Sequence, residues 1–510
     1  MYIYNLGLLF YSIAAESSFD SALLLNEQEK VSFEELNCLS NQIARYLLYR
    51  KINKNDVIGI FNTKSKESFA LMLACLKIGA IYVNLDNDSP FERIKKIIDK
   101  CNPVLLSFDQ TTILLQIRNI EIPQLDIISE SFRTSLESFP DTNLDFTLSV
   151  CSDNPAYIMF TSGSTGFPKG AVMTHQNLIN FILWAKQTYC IEKGDILTNV
   201  NPMYFDNSVF DFYASLFNGA AMAPVDALTV GQAKKLVAYI DKIKATIWFS
   251  VPSLLVFLIT MKALTKDVFK HVRIITFGGE GFPKPKLKFL FDLFANRIRI
   301  VNVYGPTECT CICSAYDVKM EDFNDMINLA PLGFLAPDFD YLILDENNNE
   351  AKSGELVLGG PQVGLGYYND QERTEKSFMQ HPFIKNYRKV LYKTGDIVRK
   401  DKNGIIHILG RADNQIKHMG YRIELEEIEA GFNRLEYINE SGAVYEKFND
   451  GLGQIKAFVT LKSNVTIESI RHDLKKILPS YMIPRIITIL DTLPRNQNGK
   501  IDRLSLKNIK

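Results

Sequence analysis

No stretch of this 510-residue sequence reaches the ~18 uninterrupted apolar residues that a membrane-crossing helix needs. The opening run from Tyr2 to Ala15 is apolar, but no basic segment precedes it and Asn5 and Ser12 interrupt it, so an amphipathic first helix is expected rather than a secretory signal. Charge of one sign is missing too. Lys and Arg number 57 against 58 Asp and Glu, a net charge of -1, which gives nucleic acid or an anionic membrane nothing to hold. Any phosphate binding must be local. The eight cysteines contain no CxxC spacing, which removes the usual zinc and redox arrangements; reduced thiols in a soluble cytoplasmic protein are expected. Cys309, Cys311 and Cys313 alternate as strand residues do, and packing is their expected role unless other ligands converge on them.

What is present is enough chain for a large domain plus a smaller one, with 46% hydrophobic residues to fill both cores. Short β-branched apolar runs alternate with segments of helical period, the pattern of an α/β fold on a mostly parallel sheet. One helix is expected to begin with Ser89 as cap and Pro90 in its first turn, placing Phe91, Ile94, Ile97 and Ile98 on one face. Ala156 to Phe160 reads as a buried strand. Past Gly404 the texture changes, from the strand-like IIHILG to a charged stretch between Arg411 and Glu429 and then smaller elements. We expect an antiparallel pair around 442–445 and 455–460, and a helix bearing Ile467, Ile470, Leu474, Ile477 and Leu478. The expected division is a large domain over 1–412 and a small α+β domain over 413–510. There is no repeat and no low-complexity linker, so motion between them must hinge near Asp413.

The segment from Thr161 to Lys169, TSGSTGFPK, directly follows the strand and packs hydroxyls, glycines and one lysine into nine residues. Such a loop suits a polyphosphate. Glycine lets main-chain N–H groups turn inward, hydroxyls donate to phosphate oxygens, and Lys169 adds a compact positive charge. A polar Ser/Gly turn has the same composition, and the spacing is not that of a Walker loop.

The full string from Tyr157 to His175, YIMFTSGSTGFPKGAVMTH, resembles the signature loop of the adenylate-forming superfamily of acyl-CoA synthetases, luciferases and nonribosomal peptide synthetase adenylation domains. Five further matches follow in the family's order: NVYGPTE at 302–308, GELVLGG at 354–360, YKTGD at 392–396, GRADNQIKHMGYRIELEEIE at 410–429 and NGKIDR at 498–503. The resemblance implies a large multi-sheet N-terminal domain and a small mobile C-terminal one. It implies ATP contacts at Thr161, Ser162, Gly163, Ser164, Thr165, Gly166 and Lys169, and around the nucleotide at Gly279, Glu280, Asn302, Val303, Tyr304, Gly305, Asp396, Ile408 and Arg411. Thr307 takes the place of an α-phosphate contact and Glu308 that of a magnesium ligand, which suits a hard cation between carboxylate and phosphate. Asp396 matches the ribose-binding aspartate; alone, it is a turn residue after glycine.

In the resembled reaction the substrate carboxylate attacks the α-phosphate of ATP and displaces pyrophosphate, so positioning and charge neutralisation supply the rate. Lys500 resembles the lysine that bridges the carboxylate and that phosphate, a contribution of ~10²–10³. The small domain then rotates about Asp413, and Lys417 to Arg422 help form a channel for a thiol. The string from Tyr204 to Asp211, YFDNSVFD, matches the region where amino-acid-activating members hold an α-ammonium, here with Asp206; a helix cap is the other reading. The matching side-chain pocket is Asn207, Phe210, Phe249, Ile275, Phe277, Val303, Cys311 and Ile312. Three phenylalanines in it imply a small or medium apolar amino acid, while Asn207 would instead suit a hydroxylated side chain.

Phe277 before Gly278-Gly279-Glu280 also resembles D-alanine:carrier protein ligases, which have Cys at the place of Gly278. No serine-bearing carrier motif of the LGGxS type occurs, so a separate carrier protein with a phosphopantetheine arm is the expected partner of a monomeric enzyme. An acyl- or aryl-CoA ligase and a catalytically silent nucleotide-binding scaffold are the alternatives; the joint presence of Lys169, Glu308, Asp396 and Lys500 disfavours the second. Lys500→Ala is expected to abolish adenylate formation while largely keeping thioester formation from preformed adenylate, measured as two separate half-reactions; loss of only the second step contradicts the role.

Overall fold

The structure is a computed structural model and describes residues 2–26, 28–163, 167–448, 453–495 and 501–509. A large N-terminal body is built on two sheets whose middles are parallel. The six-stranded one runs, edge to edge, Gln124–Asp126, Leu105–Phe108, Val57–Phe61, Ile81–Leu85, Pro155–Thr161 and Lys169–Thr174. Only its last pair is antiparallel. The strands are continuous apolar runs such as VIGIF and IYVNL, as expected where helices cover both faces. The nine-stranded sheet places Arg299–Tyr304, Ile274–Gly278, Ile247–Ser250, Ile196–Asn199, Ala221–Pro224 and Ser21–Leu24 in parallel, with antiparallel strands at both edges. A five-stranded antiparallel sheet around the long strand Val390–Lys400 completes this body.

The small C-terminal body follows the strand Ile406–Arg411. It opens with the hairpin Gln415–His418 and Tyr421–Glu424, whose tip residues Met419 (φ 53°) and Gly420 (φ 83°) both adopt the left-handed conformation of a tight two-residue turn. Helix Leu425–Asn433 then packs on a sheet of Ile438–Lys447, Gly453–Leu461 and Ile486–Ile489. Helix Ile467–Leu474 buries Ile470 and Leu474 in the same core.

Three expectations need correcting. Leu6–Glu16 is helical, but Leu6, Leu8, Phe10, Tyr11 and Ala14 are all buried, so this is a core helix and not an amphipathic one. Asn5 caps it, accepting from the Leu8 N–H at 2.9 Å. Ser89 does not cap the helix Phe91–Cys101; its hydroxyl donates to Asp86 at 2.8 Å and Pro90 holds the cap position without a side-chain bond. Cys309, Cys311 and Cys313 do not share a strand. Thr307–Cys309 is a 3₁₀ turn and Thr310 and Cys311 are left-handed (φ 60° and 71°), so the spacing of two reflects a folded loop, with all three thiols buried.

His175 pins the first helix to the sheet, its Nδ1 accepting from the Leu6 N–H at 3.1 Å. Burial pushes its pKa down to about 3, so the folded chain refuses a proton that the unfolded chain takes up below about 6.5. The stability it contributes is therefore whole above pH 6.5 and lost as the pH falls toward 3. His175→Gln is expected to flatten the fall of the unfolding free energy from urea titrations between pH 6.5 and 4.5, by up to about 1.4 kcal/mol per pH unit.

Candidate active site

Parallel strands present their C-terminal ends together, and here strands of both sheets end at one cavity. Asn84 and Asp86 flank the end of one strand, Thr161 ends a second, and Phe249, Gly279 and Tyr304 mark the ends of three more. The small body closes the cavity with Gln415, Lys417, Gly420, Arg422 and Tyr481.

Thr161 pairs with Lys169 across the edge hairpin, so the expected phosphate loop is the turn joining two strands. Thr161 and Ser162 line the cavity. A Cβ on Gly163 would lie 2.1 Å from the Phe167 carbonyl oxygen, which leaves room for glycine alone. Ser164, Thr165 and Gly166 lie outside the described residues, as does Lys500. Lys169 stands 3.8 Å from Glu308, 4.0 Å from Glu424 and over the Tyr367 ring. Burial brings its pKa down to about 8, although a neighbouring cation adds to that and the carboxylates oppose it.

Glu308 is completely buried, and three groups compensate it. Its Oε1 accepts from the Tyr367 hydroxyl at 2.7 Å, its Oε2 takes the Arg422 guanidinium at 2.8 Å, and Lys169 lies beside it. Burial works against its charge, but Arg422 and Lys169 hold its pKa far below the ordinary range. The Arg422 contact crosses from the small body. Thr307, next in chain, donates its hydroxyl to Asp206.

Asp396 accepts from the Tyr304 hydroxyl at 2.6 Å and from Arg411 at 2.8 Å, while Arg411 grips Asp413 through two further bonds of 2.7 and 2.6 Å. A Cβ on Gly305 would meet the Cys311 carbonyl at 2.2 Å, so this turn too admits only glycine. Val303, Tyr304, Gly305 and Gly279 line the cavity. Three expected nucleotide contacts are placed otherwise. The Asn302 amide donates to the Pro331 carbonyl at 2.8 Å, Ile408 packs on the core, and Glu280 spends both oxygens on main-chain N–H groups, of Ser253 at 2.7 Å and of Gly420 in the small body at 2.9 Å.

Asp206, Asn207, Phe249, Val303, Cys311 and Ile312 gather on one wall. Asp206 makes no side-chain cap bond to the turn Asn207–Val209 that follows it. Burial pushes its carboxyl up, against the Thr307 hydroxyl and the pull of Lys417. Phe210 lies behind the wall, edge-on to Phe249. Ile275 and Phe277 are not part of it. Successive strand residues face opposite sides, and these two point into the other core with Trp248. The side toward the cavity belongs to Thr276, paired with Phe249, and to Gly278, paired with Val303, where a Cβ would come within 2.5 Å of the valine. Of the three phenylalanines expected there, only Phe249 lines the pocket. The alternation of ITFG was the signal, once Phe249 fixed which face was which.

The AMP-binding enzyme family description matches residues 12–368, and that of the AMP-binding enzyme C-terminal domain matches 427–500. The chain is 32% identical over 495 residues to an L-proline--[L-prolyl-carrier protein] ligase of Pseudomonas fluorescens, covering 95% of each. It is 32% identical over 504 residues to bacitracin synthase 1 of Bacillus licheniformis, covering 98% of this chain but spanning only 9% of that far longer protein. Among solved structures, holo-PA1221, an NRPS protein containing adenylation and PCP domains, superposes with a TM-score of 0.84 at 25% identity, over 98% of this chain and 84% of that one.

Glu308→Gln leaves Lys169 and Arg422 beside an uncharged group, and a broken buried pair typically costs about 3–5 kcal/mol. That loss is expected in urea unfolding at pH 7. In the parent the contribution of Glu308 is present above its unfolded value of about 4.5 and is lost as the pH falls below it, because its folded pKa is depressed. The difference between parent and variant must therefore shrink on acidification.

Proposed function

This chain belongs to the AMP-binding enzyme family, and from that premise we propose that it joins a small or medium apolar amino acid to the phosphopantetheine thiol of a separate carrier protein through an aminoacyl adenylate. The observation that carries this reading is the convergence on one cavity of Thr161, Ser162, Thr307 and the carboxylates Asp206 and Asp396, with Glu308 buried next to Thr307 in the chain and 3.8 Å from Lys169. The likeness to a carrier-protein ligase over nearly the whole of both chains supports it.

In the proposed first step the triphosphate lies along the turn after Thr161. Ser162, the Gly163 amide and Lys169 neutralise it, and Asp396 accepts from the sugar hydroxyls. Asp206 holds the α-ammonium, and that pairing relieves the penalty that burial sets on its carboxylate. The held carboxylate then attacks the α-phosphorus; the bond to the bridging oxygen breaks and pyrophosphate leaves. Lys500 supplies the cation for the charge that grows there. Magnesium fits the hard oxygens of Glu308 only when Arg422 has withdrawn, since both oxygens are engaged here. Bound there it would screen the phosphate charge. In the second step the carrier thiol attacks the acyl carbon and AMP leaves, with the hairpin of Lys417 to Arg422 closing the cavity.

The pocket wall of Phe249, Val303, Cys311 and Ile312, with Thr276 and Gly278 beside them, offers no charge to a side chain. ATP–pyrophosphate exchange across L- and D-amino acids is expected to favour small and medium apolar members. Asp206→Asn should lower exchange by more than about 10²-fold, the equivalent of a lost buried charge pair. Preference for a large or acidic substrate, or equal use of acids without an ammonium, sinks the reading. Efficient transfer to free coenzyme A would favour the acyl-CoA ligase alternative.

A further inference from the structure

Four cations of the large body lie about the described ends of the loop after Thr161, one of them, Arg373, also paired with Asp370 at 3.1 Å. Lys169 ends it, Lys96 sits 4.6 Å over the ring of Phe167, an Arg373 nitrogen lies 3.7 Å from where a Cβ of Gly163 would be, and Arg93 lines the adjoining cavity wall. Such a ring suits a polyanion. In this structure the anion is the small body's own. Glu427 stands at the third position of helix Leu425–Asn433 and is 3% exposed. One of its oxygens pairs with Arg93, itself 8% exposed, and the other accepts the Gly163 N–H at 3.3 Å. A carboxylate bridging an arginine and a loop amide does what a terminal phosphate does at such a loop. Its neighbours complete the likeness: the Ser162 hydroxyl donates to the Arg422 carbonyl at 2.6 Å, and Glu424 lies 4.0 Å from Lys169.

We propose that Glu427 is a phosphate surrogate carried by the small body, and that it competes with a polyphosphate for Arg93 and the Gly163 amide. The domain arrangement seen here and a filled phosphate loop then exclude one another. Arg93 serves both states, as a polyphosphate cation when the small body is withdrawn and as the partner of Glu427 when it is docked. This rests on the reading that the loop after Thr161 holds a polyphosphate. It goes beyond that reading in naming the residue that takes the anion's place.

The test is calorimetric titration of the full chain with inorganic pyrophosphate. Removing the competitor in Glu427→Gln is expected to tighten pyrophosphate binding roughly 10-fold, the scale of a typical coupling between sites. Glu427→Asp, which keeps the charge but cannot reach both partners, should move the same way by less. Arg93→Gln should weaken binding, and Glu427→Gln added to Arg93→Gln should gain much less than it does alone, because the contested cation is gone. If parent and variants bind pyrophosphate and exchange it with ATP, yet Glu427→Gln and Glu427→Asp bind no more tightly than the parent, the surrogate role is overturned. If no variant binds pyrophosphate and exchange is absent, the assignment of the loop itself falls, and the surrogate with it.

Discussion

Everything at this site depends on one buried charge. The Glu308 carboxylate has no access to water, and a lone ion in such a place would shed its charge by taking a proton. It keeps that charge because Lys169 and the Tyr367 hydroxyl approach from the large body and Arg422 from the small one. The two bodies are therefore joined by an ion cluster as well as by packing. Withdrawing the small body removes a guanidinium from a sealed carboxylate, and some other positive charge must replace it. Electrostatic neutrality at Glu308 thus couples what the cavity contains to where the small body stands.

The same logic repeats around it. Glu427 answers Arg93, Glu280 receives main-chain N–H groups from both bodies, and Asp396 is shared by Tyr304 and Arg411. Each of these acids is satisfied by protein groups, and Asp396 is so at the edge of the cavity itself. The interface between the two bodies is thus built largely from buried acids and the donors that face them.

Much of this was legible in the sequence, for definite reasons. The edge hairpin that carries the expected phosphate loop follows from an apolar run closed by glycines and hydroxyls, and the helix Ile467–Leu474 from apolar spacing of three and four. Periodicity failed where burial or loop geometry overrode it. The first helix looked two-faced but is enclosed, and the alternating cysteines suggested a strand where two left-handed residues make a loop. The pocket error was one of parity: shifting a strand's inward face by one residue exchanges Thr276 and Gly278 for Ile275 and Phe277. Pairings across the bodies, such as Glu427 with Arg93 over a separation of 334 residues, leave no local trace at all.

The hairpin tip of the small body comes so near that a Cβ on Gly420 would stand 2.7 Å from a methyl of Val251. Neither residue can grow without the other shrinking. A chimera that grafts the small body of one relative onto the large body of another inherits one half of that fit from each parent. Recombination between such chains is thus constrained at this seam even where both parental bodies are sound in themselves.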